Sequence, residues 1–140
     1  MSTNLENKLE GILKVLDNLA YEASRGVPII VEGKKDVEAL AKLNVKGKII
    51  AVKALKRNFL SVLNEAENLG KKEVILLLDF DRRGKEWTKR LSTWFEKTKI
   101  KANTVFWREI FGLLRRDVKD IEGLPAYIET LKKRLGRSLE

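Results

Sequence analysis

The chain contains no cysteine and no histidine among its 140 residues. The absence of cysteine excludes disulfide bonds and thiolate metal sites, and the absence of histidine removes the usual general base and the usual zinc ligand. Any catalysis must therefore depend on carboxylates, lysines, hydroxyls or a hard metal ion. No apolar run approaches the roughly 20 residues that span a bilayer, and the N-terminus lacks the pattern of a signal peptide. We therefore expect a cytoplasmic protein.

Positive charge exceeds negative charge, with 29 Lys and Arg against 20 Asp and Glu and a net charge of +9. Basic proteins favour phosphate polymers and anionic surfaces, so nucleic acid is a candidate partner, and simple solubility is the alternative explanation. Apolar residues make up 44% and charged residues 35% of the sequence, which indicates a globular domain with a hydrophobic core. Many lysines and glutamates without cysteine are also typical of thermophile proteins.

Short apolar runs alternate with helical patterns along most of the chain. The runs are too short for helices and rich in β-branched residues, as buried strands are. Strands that alternate with helices predict right-handed βαβ units and an α/β fold, in which a four-stranded parallel sheet has helices on both faces. The predicted strands are Pro28–Glu32, Lys48–Val52, Glu73–Asp79 and Ala102–Trp107, and the connecting helices are Lys35–Leu43, Asn58–Leu69 and Gly84–Lys97.

Helical patterns also occupy both ends of the chain. Leucine and isoleucine recur at the helical period from Thr3 to Arg25. Further helices are predicted at Arg108–Arg116 and Leu124–Leu139. We therefore expect a single domain over residues 1–140, with an N-terminal helix in 1–26, an α/β core in 27–122 and a C-terminal helix in 123–140.

Acidic residues follow two of the predicted strands. Glu32 ends the first strand, and Asp79 and Asp81 end the third. Because ligands bind at the carboxyl ends of parallel strands, we expect these three carboxylates to converge on one edge of the sheet. Clustered carboxylates repel one another unless a cation lies among them, and oxygen ligands alone suit Mg²⁺, with Mn²⁺ as a substitute. Gly33 and Gly84 follow the same strands and would allow a close backbone approach or a sharp turn.

A purely structural explanation exists for each acidic residue. An aspartate after a strand often caps the next helix, and Asp81 is placed to cap the helix near Gly84. Glu32, taken alone, is more often a solvated loop end than a ligand. The joint occurrence of acids at two strand ends favours a metal site, so the sequence predicts Glu32, Asp79 and Asp81 as metal ligands.

The two acidic segments resemble the motifs of the Toprim domain family. Ile29–Asp36 is similar to the first motif, a strand ending in Glu-Gly with an acidic residue soon after, and Asp79–Gly84 resembles the second motif, D-x-D-x-x-G. The resemblance covers about residues 27 to 122. The family includes bacterial-type primases, topoisomerases, recombination-repair proteins, nucleases and the ribonuclease that matures 5S rRNA, and this chain is most similar to small, stand-alone, primase-like members.

The resemblance implies roles for individual residues. Glu32 matches the family glutamate, which is a general acid or base or a metal ligand, and Asp79 and Asp81 match the Mg²⁺ ligands. Asp36 matches a frequent acidic position and is a candidate auxiliary acid. Asp120 is a second candidate, because the stretch 117–123 is loosely similar to a late acidic stretch in primase-like members. Turn and capping roles are the preferred explanation for the acids of that stretch.

Basic residues follow the same predicted strands and would surround the carboxylates with positive charge that can hold phosphate groups. Those predicted to bind phosphate are Lys34, Lys35, Lys53, Lys56, Arg57, Arg82, Arg83 and Lys85. The opposite edge of the sheet is also basic, so charge alone does not select an edge. Trp87 and Trp94 suggest base stacking, but their spacing with Leu91 on one helical face favours burial in the core.

Two functions compete. The leading hypothesis is a Mg²⁺-dependent, primase-like or nuclease-like protein that cleaves phosphodiesters or transfers nucleotides in DNA or RNA, with Glu32 moving a proton. The alternative is a non-catalytic module that binds nucleic acid with the help of a metal, within a larger replication, repair or RNA-processing complex. A receiver-like phosphotransfer domain ranks last, because the fourth predicted strand ends at Trp107 and Arg108 without the lysine that such a domain needs.

Overall fold

The computed structural model describes residues 2–55 and 59–139, with side chains from 4 to 53 and from 60 to 136. Strands and helices alternate through the middle of this part of the chain, with a helix at each end. None of its helices has both the length and the apolar character needed to cross a bilayer. The elements are α1 (Ser2–Ser24), β1 (Ile29–Val31), α2 (Lys34–Lys42), β2 (Ile49–Ala51), a 3-10 turn (Val52–Leu55), α3 (Phe59–Asn68), β3 (Glu73–Leu76), α4 (Arg82–Lys97), β4 (Lys101–Asn103), α5 (Val105–Leu114) and α6 (Leu124–Leu139).

The four strands form one parallel sheet in the order β2-β1-β3-β4. Ile29 of β1 is in register with Ile49 of β2 on one side and with Ile75 of β3 on the other. The chain leaves β1 outward to β2 and then returns past β1 to β3, so the strand order reverses between β1 and β3. In open α/β sheets the crevice at such a reversal point is where ligands bind.

Alternate side chains of β1, β2 and β3 pack into separate cores on the two faces of the sheet. Ile29 and Val31 belong to the larger core, which α1, α2, α5 and α6 cover. Ile30 belongs to the smaller core, where side chains from α3 and α4 pack, among them Leu91 and Phe95. Because these three strands are covered on both faces, they read as short apolar runs, whereas the edge strand β4 is more polar and less buried. The predicted α/β fold with helices on both faces is confirmed.

The fourth strand ends earlier than predicted. Asn103 is its last residue, and its side-chain oxygen accepts a hydrogen bond of 2.9 Å from the Val105 amide. This local bond takes the amide away from a strand ladder, and α5 begins at Val105. Trp107 therefore lies in a helix, and its buried indole nitrogen donates a 2.8 Å hydrogen bond to the Leu78 carbonyl.

Burial along α4 also differs from the prediction. Its buried side chains include Thr88, Leu91 and Phe95, whereas Trp94 is 45% exposed. The prediction that Trp94 belongs to the core is wrong, because Leu91 and Phe95 define the packed face and Trp94 lies beside it. Trp87 is half-buried and packs against the smaller core.

Replacing Trp107 by Phe removes the hydrogen bond to the Leu78 carbonyl while keeping an aromatic ring. A buried carbonyl without a partner costs about 1 to 3 kcal/mol, so we expect a loss of that size in the free energy of unfolding. The matched control is Trp94→Phe on the exposed side of α4, where a change within about 0.5 kcal/mol is expected. Urea titrations measure both variants, and equal losses would contradict an anchoring role for Trp107.

Candidate metal centre

Glu32 follows β1 directly and is 3% exposed. Its carbonyl oxygen accepts a 2.9 Å hydrogen bond from the Lys53 amide, which continues the pairing of β1 with the chain after β2. The side chain reaches across to the end of β3, where Oε1 accepts a 3.4 Å hydrogen bond from the Asp79 amide. Oε2 lies 3.9 Å from the Lys53 Nζ atom. The backbone bond fixes the residue, and the Asp79 amide and the Lys53 ammonium contact one carboxylate oxygen each.

Asp79 and Asp81 lie in the loop that leads from β3 into α4. Asp81 is the N-cap residue of α4, and its Oδ1 accepts a 2.7 Å hydrogen bond from the Gly84 amide. The capping role proposed for Asp81 is thus real. It leaves a second oxygen for another partner, so capping and metal binding are compatible at this residue.

Glu32, Asp79 and Asp81 each offer one carboxylate oxygen within 4.8 Å of the others. Burial raises the pKa of Asp79 to about 8, and the negative charge of Glu32 adds to this shift. Ionised carboxylates can only accept hydrogen bonds, so Asp79 and Glu32 can bond to each other only when one of them holds a proton. The Oδ1 atom of Asp79 is buried and has no hydrogen-bond partner among the described residues.

These features fit a divalent cation. A cation among the three carboxylates would offset their repulsion and give the buried Oδ1 atom of Asp79 a partner. All donors in the cluster are carboxylate oxygens, the ligand type that hard cations prefer. The three residues can therefore hold a metal ion.

The two predicted auxiliary acids have structural partners. Asp36 is 6% exposed, and its two oxygens accept 3.0 Å hydrogen bonds from the amides of Gly33 and Glu122. Burial raises the pKa of Asp36, and these hydrogen bonds oppose the rise. Asp36 thus ties the loop after β1 to the segment between α5 and α6. Asp120 accepts a 2.8 Å hydrogen bond from the Gly123 amide, and both acids lie outside the three-carboxylate cluster.

A cavity of about 230 Å³ opens beside Asp79, with Asp36 and Asp120 in its wall. Its basic lining residues are Lys34, Lys35 and Lys53. These three match the predicted phosphate-binding set. Lys35 also lies 3.9 Å from Glu122, an exposed ion pair.

The other predicted cations have different surroundings. Arg82 contacts Glu86 at 3.4 Å, one turn further along α4. Arg83 lies over the Trp87 ring at 4.5 Å, and Lys85 lies over the Phe111 ring at 4.8 Å. Lys56 and Arg57 lie outside the described residues. Of the six predicted cations within the described residues, Lys34, Lys35 and Lys53 border the cavity.

The two glycines have different requirements. A Cβ atom on Gly84 would overlap the carbonyl oxygen of Asp79, so only glycine allows the first turn of α4 to pack against this loop. Gly33 has an extended backbone with φ −142°, and a Cβ there would meet only the Lys53 side chain at 3.8 Å. The predicted structural need for glycine therefore holds at Gly84 and not at Gly33.

An aromatic cluster that the sequence analysis did not assign to the site packs against residues 79–81, the candidate metal loop. The ring of Phe80, between Asp79 and Asp81, stacks on Phe111 with centroids 5.4 Å apart and lies 5.9 Å from Trp107. The Phe80 amide donates a 2.7 Å hydrogen bond to the Lys119 carbonyl. The only available signal was the aromatic residue inside D-x-D, since its partners lie far along the chain.

Replacing Gly84 by Ala should displace the loop that carries Asp79, because the added carbon overlaps the Asp79 carbonyl. We expect a destabilised protein that gains little thermal stability from Mg²⁺ or Mn²⁺. The matched control is Gly33→Ala, where space and backbone conformation both accept alanine. Melting temperatures with and without the metal compare the two variants, and equal behaviour would contradict the steric argument.

The raised pKa of Asp79 predicts a pH dependence of stability without metal. The pKa is about 8 in the folded protein against an ordinary value of 3.8, so the folded state binds this proton more tightly. The resulting stabilisation is fully present below the ordinary value and is lost as pH rises toward 8. Asp79→Asn cannot ionise, so in EDTA its stability relative to wild type should increase across that window. Urea titrations at several pH values test this, and a constant difference would contradict it.

Comparisons with known proteins agree with this arrangement. The family model described as Toprim domain matches residues 27–110. The UPF0292 protein MJ1624 of Methanocaldococcus jannaschii is 42% identical over 119 residues, which cover 85% of this chain and 91% of that protein. A UPF0292 protein of Methanosarcina barkeri is 31% identical over 137 residues, or 96% of this chain and 94% of that protein.

A solved structure of a protein from Aquifex aeolicus has the same fold, with a TM-score of 0.64 and 26% identity. The superposition covers 78% of this chain and 94% of that one. Toprim domains bind divalent metals and are associated with nucleic acid, in agreement with the acidic cluster. This chain is similar to UPF0292 proteins over most of its length. Because the family match spans both acidic loops and more than half of the sequence, the chain belongs to the Toprim domain family.

Proposed function

We propose that this protein binds Mg²⁺ on Glu32, Asp79 and Asp81 and acts on phosphodiester groups of nucleic acid, by cleavage or nucleotidyl transfer. The observation that carries the proposal is the buried Oδ1 atom of Asp79, which has no hydrogen-bond partner in the described part of the chain and lies within a cluster of three carboxylates. Such an arrangement is costly without a cation and is matched to one. It lies at the strand-reversal point between β1 and β3, where α/β sheets bind ligands.

Oxygen ligands and open access favour Mg²⁺, with Mn²⁺ as a substitute. Mg²⁺ takes few protein carboxylates and completes its shell with water and substrate phosphate. Glu32 is buried, Asp79 is half-buried and Asp81 is exposed, so the cluster opens to solvent on one side. When bound there, the ion would neutralise phosphate charge and orient the attacking oxygen.

The side chains around the metal site have two further roles, phosphate binding and proton transfer. Lys34, Lys35 and Lys53 border the cavity beside Asp79 and would bind the phosphate oxygens of the substrate. Glu32 contacts the Asp79 amide through Oε1, while Oε2 faces the Lys53 ammonium at 3.9 Å. Glu32 is thus suited to move a proton while it also serves as a ligand.

A second function keeps the metal and omits turnover. Arg83 and Lys85 face aromatic rings, and among the described residues the predicted cations that border the cavity beside Asp79 are Lys34, Lys35 and Lys53. A non-catalytic module that binds DNA or RNA for a replication, repair or RNA-processing partner would need only the metal and a basic surface. The two functions differ in turnover and share the same metal ligands.

Turnover by the wild type and by ligand variants separates the two functions. Labelled DNA and RNA are incubated with Mg²⁺ and wild type, Asp79→Ala or Glu32→Gln. If the protein is catalytic, Glu32→Gln should lose product on the order of 10²-fold or more, because a positioned acid–base group contributes at least that much, and Asp79→Ala should lose product because it removes a metal ligand. Asp17→Ala, an exposed aspartate of α1, is the matched control and should retain the wild-type rate.

The outcomes assign the function. Loss of product in EDTA and in both ligand variants would support catalysis. Equal product from all proteins would come from a contaminant and would remove the catalytic hypothesis. No product from any protein, together with salt-sensitive binding that persists in EDTA, would support the non-catalytic module.

A further inference from the structure

We propose that nucleic acid reaches the metal centre along a cationic track on the β4 side of the sheet, formed by Lys85, Lys89 and Arg108 and then by Lys8, Arg115 and Arg116. The inference rests on the proposed function and names the surface that holds the substrate. The sequence placed the phosphate-binding cations around both acidic loops, and of these six residues only Lys85 was among them. The track consists of two depressions that meet at Phe111.

The first depression, of about 700 Å³, lies between α4 and α5. Lys85 and Lys89 line it from α4 and Arg108 lines it from α5. Ser92 and Thr104 lie in the same wall, and the Thr104 hydroxyl accepts a hydrogen bond from the Arg108 guanidinium. Lysine, arginine and hydroxyl donors on facing helices are the groups that proteins use to contact phosphate oxygens.

The second depression, of about 730 Å³, lies between α1 and the end of α5. Lys8 lines it from α1, and Arg115 and Arg116 line it from the segment after α5. Asp117 is its acidic residue, and this carboxylate accepts hydrogen bonds from Lys8 at 3.0 Å and from the Tyr127 hydroxyl at 2.7 Å. The charges of Lys8 and Asp117 therefore largely cancel, and Arg115 and Arg116 supply the net positive charge of this depression.

Phe111 joins the two depressions and connects them to the metal loop. It lines both of them, and one neighbour of its ring is Phe80, which lies between Asp79 and Asp81. The Lys85 ammonium lies 4.8 Å from the centroid of the same ring. A nucleic-acid strand that follows the track therefore passes Phe111, whose ring stacks on Phe80 between Asp79 and Asp81.

The charge balance and the residue types point to a phosphate backbone. The two depressions contain six basic side chains and two acidic ones, Glu96 and Asp117. Phe80 and Lys85 both contact the ring of Phe111, which leaves little of it for base stacking. We therefore expect binding that depends on phosphate charge and shows little sequence preference.

The test compares two charge-reversal variants with equal change in net charge. The track variant is Lys89→Glu/Arg108→Glu/Arg116→Glu. The control, Lys46→Glu/Lys72→Glu/Lys101→Glu, lies at the amino ends of the strands, and all six side chains are exposed. Fluorescence anisotropy measures the Kd for labelled duplex and single-stranded DNA in EDTA across a salt series. Thermal melts establish that both variants fold, and a Gln version of the track variant replaces the Glu version if it does not.

The track variant should bind duplex DNA more weakly and with less dependence on salt. Three lost phosphate contacts lower the slope of log K against log salt by about 2.7, so wild type should lose roughly 40-fold more affinity than the variant between about 50 and 200 mM salt. The control should keep the wild-type slope. Equal weakening in both variants would show general electrostatic attraction and overturn the track. Polyglutamate that competes as well as DNA at equal charge would overturn nucleic acid as the partner.

This design keeps the two proposals separate, because the binding is measured without metal. Mg²⁺-induced thermal stabilisation should be the same in wild type and the track variant if the metal site is intact. A protein that binds DNA through the track and shows no response to Mg²⁺ would retain the track and refute the metal centre. A protein with the Mg²⁺ response and equal weakening by both variants would retain the metal centre and refute the track.

Discussion

Repulsion between the carboxylates of Glu32 and Asp79 is the constraint to which the rest of the site responds. The unfolded chain would let these groups separate in water, but the folded chain brings their oxygens within 4.8 Å at a partly buried position. Burial and the charge of Glu32 raise the pKa of Asp79 to about 8, so Asp79 holds its proton more tightly than an aspartate in water does. A proton and a divalent cation are two ways to remove the same repulsion, so they compete for one position.

The fold can maintain this unfavourable arrangement because neighbouring contacts are numerous and independent of it. Parallel pairing of β1 with β3 sets the two strand ends side by side, and fully buried side chains lock both strands on both faces. The Trp107 indole holds the end of β3, and the Asp36 carboxylate ties the loop after β1 to the segment after α5. Gly84 allows α4 to begin directly beneath Asp79. Packing and hydrogen bonds outside the cluster thus offset an electrostatic cost that is concentrated at three side chains.

Local sequence carried most of the information about the fold and about the acidic residues. Apolar runs identify β1, β2 and β3, and the rule that ligands bind at carboxyl ends brings Glu32 and Asp79 together without any coordinates. The end of β4 was not predictable in this way, because one side-chain hydrogen bond from Asn103 outweighs the β propensity of Val105 and Phe106. The prediction of a buried Trp94 failed because residues at the edge of the packed face of a helix have the same spacing as residues at its centre.

The orientation of the cations depends on contacts between distant residues, which sequence spacing does not contain. Lys85 follows the metal loop in sequence, yet its ammonium lies over Phe111 of a different helix, and Arg83 covers the ring of Trp87. Lys8 and Arg116 are 108 positions apart and line one depression. Long, flexible basic side chains settle wherever an aromatic ring or a carboxylate stabilises them, and each such contact is weak.

Because these contacts are weak, the basic side chains and the carboxylates differ in how they would bind a ligand. Cations that are held loosely in the free protein can turn to phosphate groups at little cost, so affinity can be spread over many exposed side chains of α1, α4 and α5. The carboxylates cannot be spread in this way, because a divalent ion requires its ligands at one point. A compact acidic centre approached by exposed basic side chains is therefore the arrangement that the proposed function requires, because a small, strongly basic domain would then hold a polyanion beside a cluster of negative charge.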